Sequence, residues 1–361
     1  MVGGAETQLV RLVGELKSRQ WDIRVISFTS GARMEAALAN LGIDVIVIEA
    51  SGPFQQYKRC RALIREIKAS QPEALVTFML QANVLGRLAG RLTRTPVVSS
   101  IRNSRFGGSS RLGQLIGDLL ERSTARLATS IVVNSEYAAR ELEQRRVTAG
   151  ATVHIIPNGV LKPEGKQRVQ GGLTPTAFKW LAVGSLTPQK NYVGLAEGFQ
   201  QVVSEYPTAR LFIAGEGSQR SELEEAVKRL GLADNISLLG ERHDIPDLLA
   251  SADAFILASS WEGMPNVVME AMSHAVPTVA TPVGGVPELI AHGDTGWIAG
   301  GTGAADLAQA MLQVMNLPHE LREAVAAKGK EVVLARFGTD RMVNSWAQVI
   351  KSAALKSKSD R

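Results

Sequence analysis

The chain has one cysteine in 361 residues, Cys60. This excludes an internal disulfide and fits a reducing compartment. Cys60 lies in a helical pattern and reads as a half-buried helix residue rather than a reactive thiol. Aromatic residues make up 5% of the chain. No apolar run approaches the roughly 20 residues that cross a bilayer, and no stretch reads as a secretory signal. The five histidines, His154, His243, His274, His292 and His319, show no metal-ligand spacing, and no Asp-x-Asp occurs. No catalytic metal and no cofactor are therefore expected.

The length and the 45% hydrophobic content point to an α/β protein of two domains, since single cores rarely exceed about 250–300 residues. The net charge of +5 hides an asymmetry. Residues 1–172 hold 24 Lys+Arg against 14 Asp+Glu, and the remainder holds 16 against 21. The basic half suggests an anionic surface or acceptor. Nucleic acid is the competing partner, but no nucleic-acid motif accompanies the charge, so none is expected.

Apolar runs of strand length alternate with helical patterns, the sign of parallel α/β units. Strands are expected at 22–28, 43–48, 74–78, 96–100, 130–134 and 152–156, with a helix over 5–19 that puts Leu9, Leu12, Val13 and Leu16 on one face. The loop 160–175, rich in Gly, Pro and charge, reads as an interdomain linker. Strands resume at 179–184, 209–214, 235–239, 254–258, 277–281 and 296–299, with helices at 191–204, 219–230, 304–316, 319–335 and 339–355. The tail 356–361 is expected to fray.

The strongest chemical signal runs from Ala258 to Met272: Ala-Ser-Ser-Trp-Glu-Gly-Met-Pro-Asn-Val-Val-Met-Glu-Ala-Met. It sets Glu262 and Glu270 on either side of a helix start. Such a start suits a phosphate, and carboxylates suit sugar hydroxyls, which donate hydrogen bonds. Pro265 suits the first helical position, where its missing N–H costs nothing. The donors then come from Asn266, Val267 and Val268. Upstream, Val183-Gly184-Ser185-Leu-Thr-Pro-Gln-Lys190-Asn191 follows a strand and opens a helix, where Lys190 can serve as a point charge for a diphosphate. Phe212-Ile-Ala-Gly215-Glu-Gly217 is a tight turn after a strand, either beneath a ligand or simply leading into a helix.

These segments resemble the Glu-x7-Glu signature and flanking turns of retaining GT-B glycosyltransferases, glycosyltransferase group 1 (family 4). The resemblance implies two Rossmann-like doubly wound parallel-sheet domains facing a cleft. These are an acceptor-binding domain over 1–165, a nucleotide-sugar-binding domain over 173–338, and a helix over 339–361 that crosses back to the first domain. It implies that Glu262 contacts hydroxyls of the donor sugar, that backbone N–H groups of Gly263, Met264, Pro265, Asn266 and Val267 line sugar and phosphate, and that Glu270 accepts from the ribose. (Proline itself supplies no N–H.) Gly4, Gly184, Ser185, Gly215 and the turn around Arg242 complete the donor site. Glu262, Lys190 and Arg102 carry the catalytic roles.

Further motifs match family positions near the cleft. Thr281-Pro-Val-Gly284-Gly285-Val-Pro-Glu288 is a further turn, with Glu288 as a helix starter. Asn134-Ser135 and Ile156-Pro-Asn-Gly159 shape turns more than they touch substrate.

Three departures stand out. Ser185 replaces the family's frequent arginine. Arg102 stands where many relatives have a histidine. It cannot act as a general base, so it either binds a phosphate of donor or acceptor or forms a structural ion pair. Met1-Val-Gly3-Gly4-Ala-Glu6 corresponds to a turn that follows the family's first, central strand. The first strand of the N-terminal domain is thus missing, and a longer natural form with about 10 more residues of strand character is expected.

The expected activity is transfer of a hexose-type sugar from a UDP-sugar to a glycan or lipid-linked acceptor in cell-surface polysaccharide or glycolipid synthesis. The alternatives are a non-catalytic nucleotide-sugar-binding protein and a GT-B epimerase or sugar-phosphate synthase. The expected place is the cytoplasm, peripheral on the inner face of the membrane. Arg102, Arg105, Arg111, Arg122 and Arg126 alternate there with Leu112, Leu115, Ile116, Leu119, Leu120 and Leu127. The helix at 57–68 adds Lys58, Arg59, Arg61, Arg65 and Lys68. This pattern can dock on anionic lipid, although a helix packed on a sheet has the same apolar stripe.

Overall fold

A computed structural model describes residues 4–102, 111–148, 150–163 and 177–359. Gly3, Arg105 and most of the 160–175 loop lie outside the described residues, as do the side chains of Arg111 and Leu112. The chain divides into two compact units, one made of Val2–Gly159 with Thr339–Arg361 and one of Val160–Gly338.

The first unit runs α1 (Gly4–Ser18), β1 (Val25–Ser27), α2 (Ala32–Asn40), β2 (Val45–Val47), α3 (Gln55–Ser70), β3 (Leu75–Phe78), α4 (Leu80–Thr93), β4 (Val97–Ile101), α5 (Arg111–Ala125), β5 (Ser130–Val133), α6 (Glu136–Gln144) and β6 (Val153–Ile155). β1 and β2 pair in parallel, and β3-β4-β5-β6 form a second parallel ladder. Every residue of β4 and β5 is buried, as expected where helices cover both faces of a parallel sheet. Alternation divides β5 between two cores. Val132 faces Leu12, Leu16 and Trp346, while Ile131 and Val133 face Ala138 and Leu142.

The second unit runs β7 (Lys179–Val183), a 3-10 turn (Pro188–Lys190), α7 (Tyr192–Glu205), β8 (Arg210–Ala214), α8 (Arg220–Arg229), β9 (Ile236–Gly240), α9 (Ile245–Ser251), β10 (Ala254–Leu257), α10 (Asn266–Ser273), β11 (Thr278–Ala280), α11 (Val286–Leu289), β12 (Trp297–Ile298), α12 (Ala304–Asn316) and α13 (His319–Phe337). Its six strands are parallel, in the order β12-β11-β10-β7-β8-β9. Trp180 and Ala182 of β7 join one core with Leu211 and Ile213, and Leu181 and Val183 join the other with Phe255 and Leu257. This is the two-faced burial of a doubly wound sheet.

The last helix, α14 (Thr339–Ser359), belongs to the first unit. Its Trp346 is fully buried and stacks on Phe78 with ring centroids 5.6 Å apart. The helix continues through Ser359 rather than fraying from Lys356, because the lysine–serine run contains no proline or glycine to stop it. The second unit begins and ends at one place. Val160 bridges Gly338, and the Val160 N–H donates to Phe337 O at 2.8 Å.

Candidate functional site

The second unit's strand order reverses between β7 and β10. In open α/β sheets the loops diverge at such a switch point and leave a crevice at the carboxyl ends of the strands. The loop after β7 carries Gly184–Asn191, and the loop after β10 carries Ala258–Pro265. The two strongest motifs of the sequence therefore flank one crevice.

Side chains stitch these loops together. Lys190 Nζ donates to Glu262 Oε1 at 2.6 Å, and Ser259 Oγ donates to the same oxygen at 2.7 Å. Glu262 Oε2 takes neither bond. The two side chains are 15% and 9% exposed, so each charge is sheltered and balanced by the other. Gln189 bonds the opposite loop twice, through Nε2 to Trp261 O and by accepting the Ser260 N–H. Asn191, in the left-handed region at φ 54°, donates to Ala258 O and Thr302 O and starts α7. Tyr192, the first residue of α7, is buried. Burial pushes its hydroxyl pKa well up, and the Glu262 carboxylate adds to the rise.

Two glycines are required by close approach. A Cβ on Gly215 would lie 1.9 Å from Gly184 O, and one on Gly284 would lie 2.0 Å from Glu262 O. The turn after β8 thus packs backbone to backbone on the turn after β7. The segment after β11 does the same to the Glu262 loop, fastened by the Gly285 N–H to Gly263 O at 2.6 Å and by Thr281 Oγ1 to Ser259 O at 2.7 Å.

α10 starts at Asn266, and Pro265 is its cap rather than its first residue. With ψ at 112°, Pro265 is extended, so the helical backbone begins one residue later than its fixed φ suggests. The first-turn amides are still those of Asn266, Val267 and Val268, which point out of the helix end. Met264 is buried at 5% exposure and anchors the loop in the core. Glu270 lies one turn further along, half-buried.

The second unit therefore gathers Gly184, Lys190, Gly215, Glu262, Gly263, Met264, Pro265, Asn266 and Val267 around one switch point. Ser185 is exposed on the same turn. Arg242 lies beyond β9, exposed and paired with Asp244, whose carboxyl it holds below the usual range. Gly4 and Arg102 belong to the first unit, Gly4 as the first residue of α1 and Arg102 directly after β4. Among the described residues, no group of three or more His, Cys, Asp or Glu is placed to hold a metal ion.

Sequence reasoning assigned no role to Ser259, Gln189, Asn191 or Tyr192. All four lie within or next to the quoted motifs, but the Gln189 and Asn191 partners, Trp261, Ala258 and Thr302, are remote in sequence and leave no local pattern.

The chain matches two family descriptions, "Glycosyl transferase 4-like domain" over residues 3–159 and "Glycosyl transferases group 1" over residues 164–332. It is 24% identical to N-acetyl-alpha-D-glucosaminyl L-malate synthase of Bacillus anthracis, over 96% of this chain and 93% of that protein. It is 28% identical to the UDP-Gal:alpha-D-GlcNAc-diphosphoundecaprenol alpha-1,3-galactosyltransferase of Escherichia coli, over 62% of this chain. That match spans 61% of the galactosyltransferase, and a match to an uncharacterized glycosyltransferase of Methanocaldococcus jannaschii spans 60% of that protein. The crystal structure of Anabaena HepE in complex with UDP-glucose superposes with a TM-score of 0.83 at 23% identity, covering 98% of this chain and 97% of that one. The parallel sheets of the two units, the built switch point with its Glu-x7-Glu helix and the two adjoining family matches agree. This chain belongs to the group 1 (family 4) glycosyltransferases and has the GT-B fold.

Proposed function

We propose that this protein moves a hexose-type sugar from a UDP-sugar to a glycan or lipid-linked acceptor in polysaccharide or glycolipid synthesis, with retention of anomeric configuration and without a metal ion. One observation carries the reading: the Lys190–Glu262 pair at the second unit's switch point, beside the start of α10. Lys190 and the positive end of α10 supply charge for a leaving diphosphate. Glu262 supplies an acceptor for sugar hydroxyls, and Glu270 one for the ribose. Before the donor arrives, Lys190 and Glu262 neutralise one another, and Ser259 fixes the carboxylate's orientation. The chemistry then rests on positioning and charge stabilisation, with the departing diphosphate receiving the acceptor's proton. A relative named for UDP-galactose transfer and a neighbour crystallised with UDP-glucose support the choice of UDP.

A panel of nucleotide-sugars, screened for thermal stabilisation and then for turnover, tests this reading. A ligand bound only by the folded state raises the melting temperature by mass action. The expected result is stabilisation by UDP-sugars and transfer that Glu262→Ala removes while the fold stays intact. Wild-type transfer by that variant would refute the assignment.

The acceptor falls to the first unit, and a membrane surface is its proposed setting. Among the described residues no helix is long and apolar enough to cross a bilayer. α4 exposes Leu88 and Leu92, and α5 exposes Leu115, Ile116, Leu119 and Leu120. Arg91 and Arg122 are exposed on the same helices, and Arg126 is exposed directly after α5. Arg59 of α3 instead turns inward, donating to Phe28 O at 2.9 Å. Leucines interspersed with arginines fit the headgroup region of an anionic leaflet, which is the cytoplasmic one.

A further inference from the structure

Arg102 is a buried cation with no carboxylate beside it among the described residues. It is 4% exposed, and its guanidinium lies 5.2 Å from the Phe78 ring centroid and 5.7 Å from that of Trp346. Nε donates to Ser100 Oγ at 2.9 Å and Nη1 donates to Asn158 Oδ1, but Nη2 is buried with no partner. The two aromatic faces and the two oxygen dipoles offset part of the desolvation. Burial still pulls the guanidinium down to about 10, so it remains charged at neutral pH.

Asn134 sits at the end of the neighbouring strand, 3% exposed. Its Nδ2 donates to Arg102 O at 3.4 Å. A carbonyl accepts only from the nitrogen of an amide, so this bond fixes the orientation and turns Oδ1 away. Oδ1 is likewise buried with no partner. One orphaned donor and one orphaned acceptor thus stand directly after adjacent strands, each losing its water bonds without replacement if nothing fills it.

Their position is that of a ligand site. Phe78, Arg102, Asn134 and Asn158 follow or end β3, β4, β5 and β6, at the carboxyl ends of a parallel sheet. Gly159 comes next, and its carbonyl accepts from Gln8 Nε2 at 2.9 Å and from Arg11 Nη1. Both donors lie in the first turns of α1, so the helix start and a second arginine are at the same end.

We propose that Arg102 and Asn134 form a phosphate receptor, Nη2 donating to a phosphate oxygen and Asn134 Oδ1 accepting from a hydroxyl carried by or next to that phosphate. The receptor binds phosphate whether or not the chain transfers sugar; only the identity of the phosphate's bearer, acceptor or donor, rests on the glycosyltransferase reading.

The test uses the full chain. Its melting temperature is followed against inorganic phosphate at constant ionic strength, with and without saturating UDP, for the wild type, Arg102→Met, Arg102→Lys and Asn134→Asp. The wild type should show a saturable rise that Arg102→Met and Asn134→Asp each weaken at least tenfold and Arg102→Lys weakens less. Asn134→Asp leaves the Arg102 side chain unchanged, gives up the Nδ2 bond to Arg102 O and puts a carboxylate against the phosphate, so it reports even if Arg102→Met does not fold. Persistence of the wild-type rise in UDP makes the phosphate the acceptor's; its loss in UDP makes it the donor's. No saturable rise in the wild type, or an unchanged one in the variants, overturns the receptor. UDP binding, read separately, tests the donor site, so failure of one reading does not mimic failure of the other.

Discussion

Lys190 Nζ stands 2.6 Å from Glu262 Oε1 across 72 residues of sequence, the ammonium after β7 and the carboxylate after β10. Each is the other's counter-ion in a site where both are mostly shielded from water.

The two charges have separable jobs. Lys190→Met should weaken UDP binding by roughly tenfold, because under the proposed function it removes the charge that meets the diphosphate. Glu262→Gln should leave UDP affinity within about twofold while lowering turnover by on the order of a hundredfold. Calorimetry with UDP and steady-state transfer rates check this. Equal loss of UDP affinity in both variants would show that Glu262 serves only to hold Lys190.

Gly215 and Gly231 both have positive φ, at 155° and 72°, but differ in their surroundings. A Cβ on Gly231 meets nothing within 4 Å, whereas one on Gly215 meets Gly184 O at 1.9 Å. Gly231→Ala should cost about 1–2 kcal/mol of backbone strain. Gly215→Ala should cost about 3 kcal/mol or more, because the β7 and β8 turns must part. It should also weaken UDP-sugar binding, which the Gly231 variant leaves intact. Denaturant melts and donor titrations of the two variants decide it.

Arg87 and Glu121 form a buried ion pair between α4 and α5, 0% and 4% exposed, at 2.5 Å. Asn83 Nδ2 donates to Glu121, and Arg87 donates further to Thr124 Oγ1 and Ser99 Oγ, while its Nη2 is buried with no partner. Glu121→Ala should destabilise by about 3–5 kcal/mol, since it strands the guanidinium. Arg87→Met with Glu121→Leu should recover most of that loss. A double-mutant cycle by urea unfolding measures the coupling.

Burial pulls the Arg102 guanidinium down to about 10 in the folded chain, below its ordinary value. Between those two values the unfolded chain binds more protons, so this group makes stability rise with pH there. Below pH 10 both states are protonated and its contribution is flat. Wild type compared with Arg102→Met by denaturant unfolding should gain relative stability between pH 9 and pH 11. A relative loss would mean that the arginine is not desolvated as described.

The strands were legible because doubly covered parallel strands are short continuous apolar runs. Ala254–Leu257 and Ser130–Val133 read that way and fold that way. The motifs were legible where chemistry is local, as with Glu262 before a helix start. What sequence did not reveal is pairing across the switch point. Lys190 read as a free cation, yet it is held by a carboxylate 72 residues on. Pro265 misled by one residue because its fixed φ fits both a cap and a first turn, and only ψ separates them. Arg102 read as either a phosphate ligand or half of an ion pair. It has no carboxylate partner among the described residues and lies against two rings, one of them brought by α14.

The two units finish in the reverse of the order in which they start. Trp346 closes the core that Leu12, Leu16, Val98 and Val132 begin. A ribosome therefore releases the whole second unit before the first can seal. During synthesis the first unit waits with an apolar hollow until α14 emerges. A premature stop a few codons before Trp346 would leave the second unit complete and strand the basic, leucine-bearing unit as prey for chaperones and proteases.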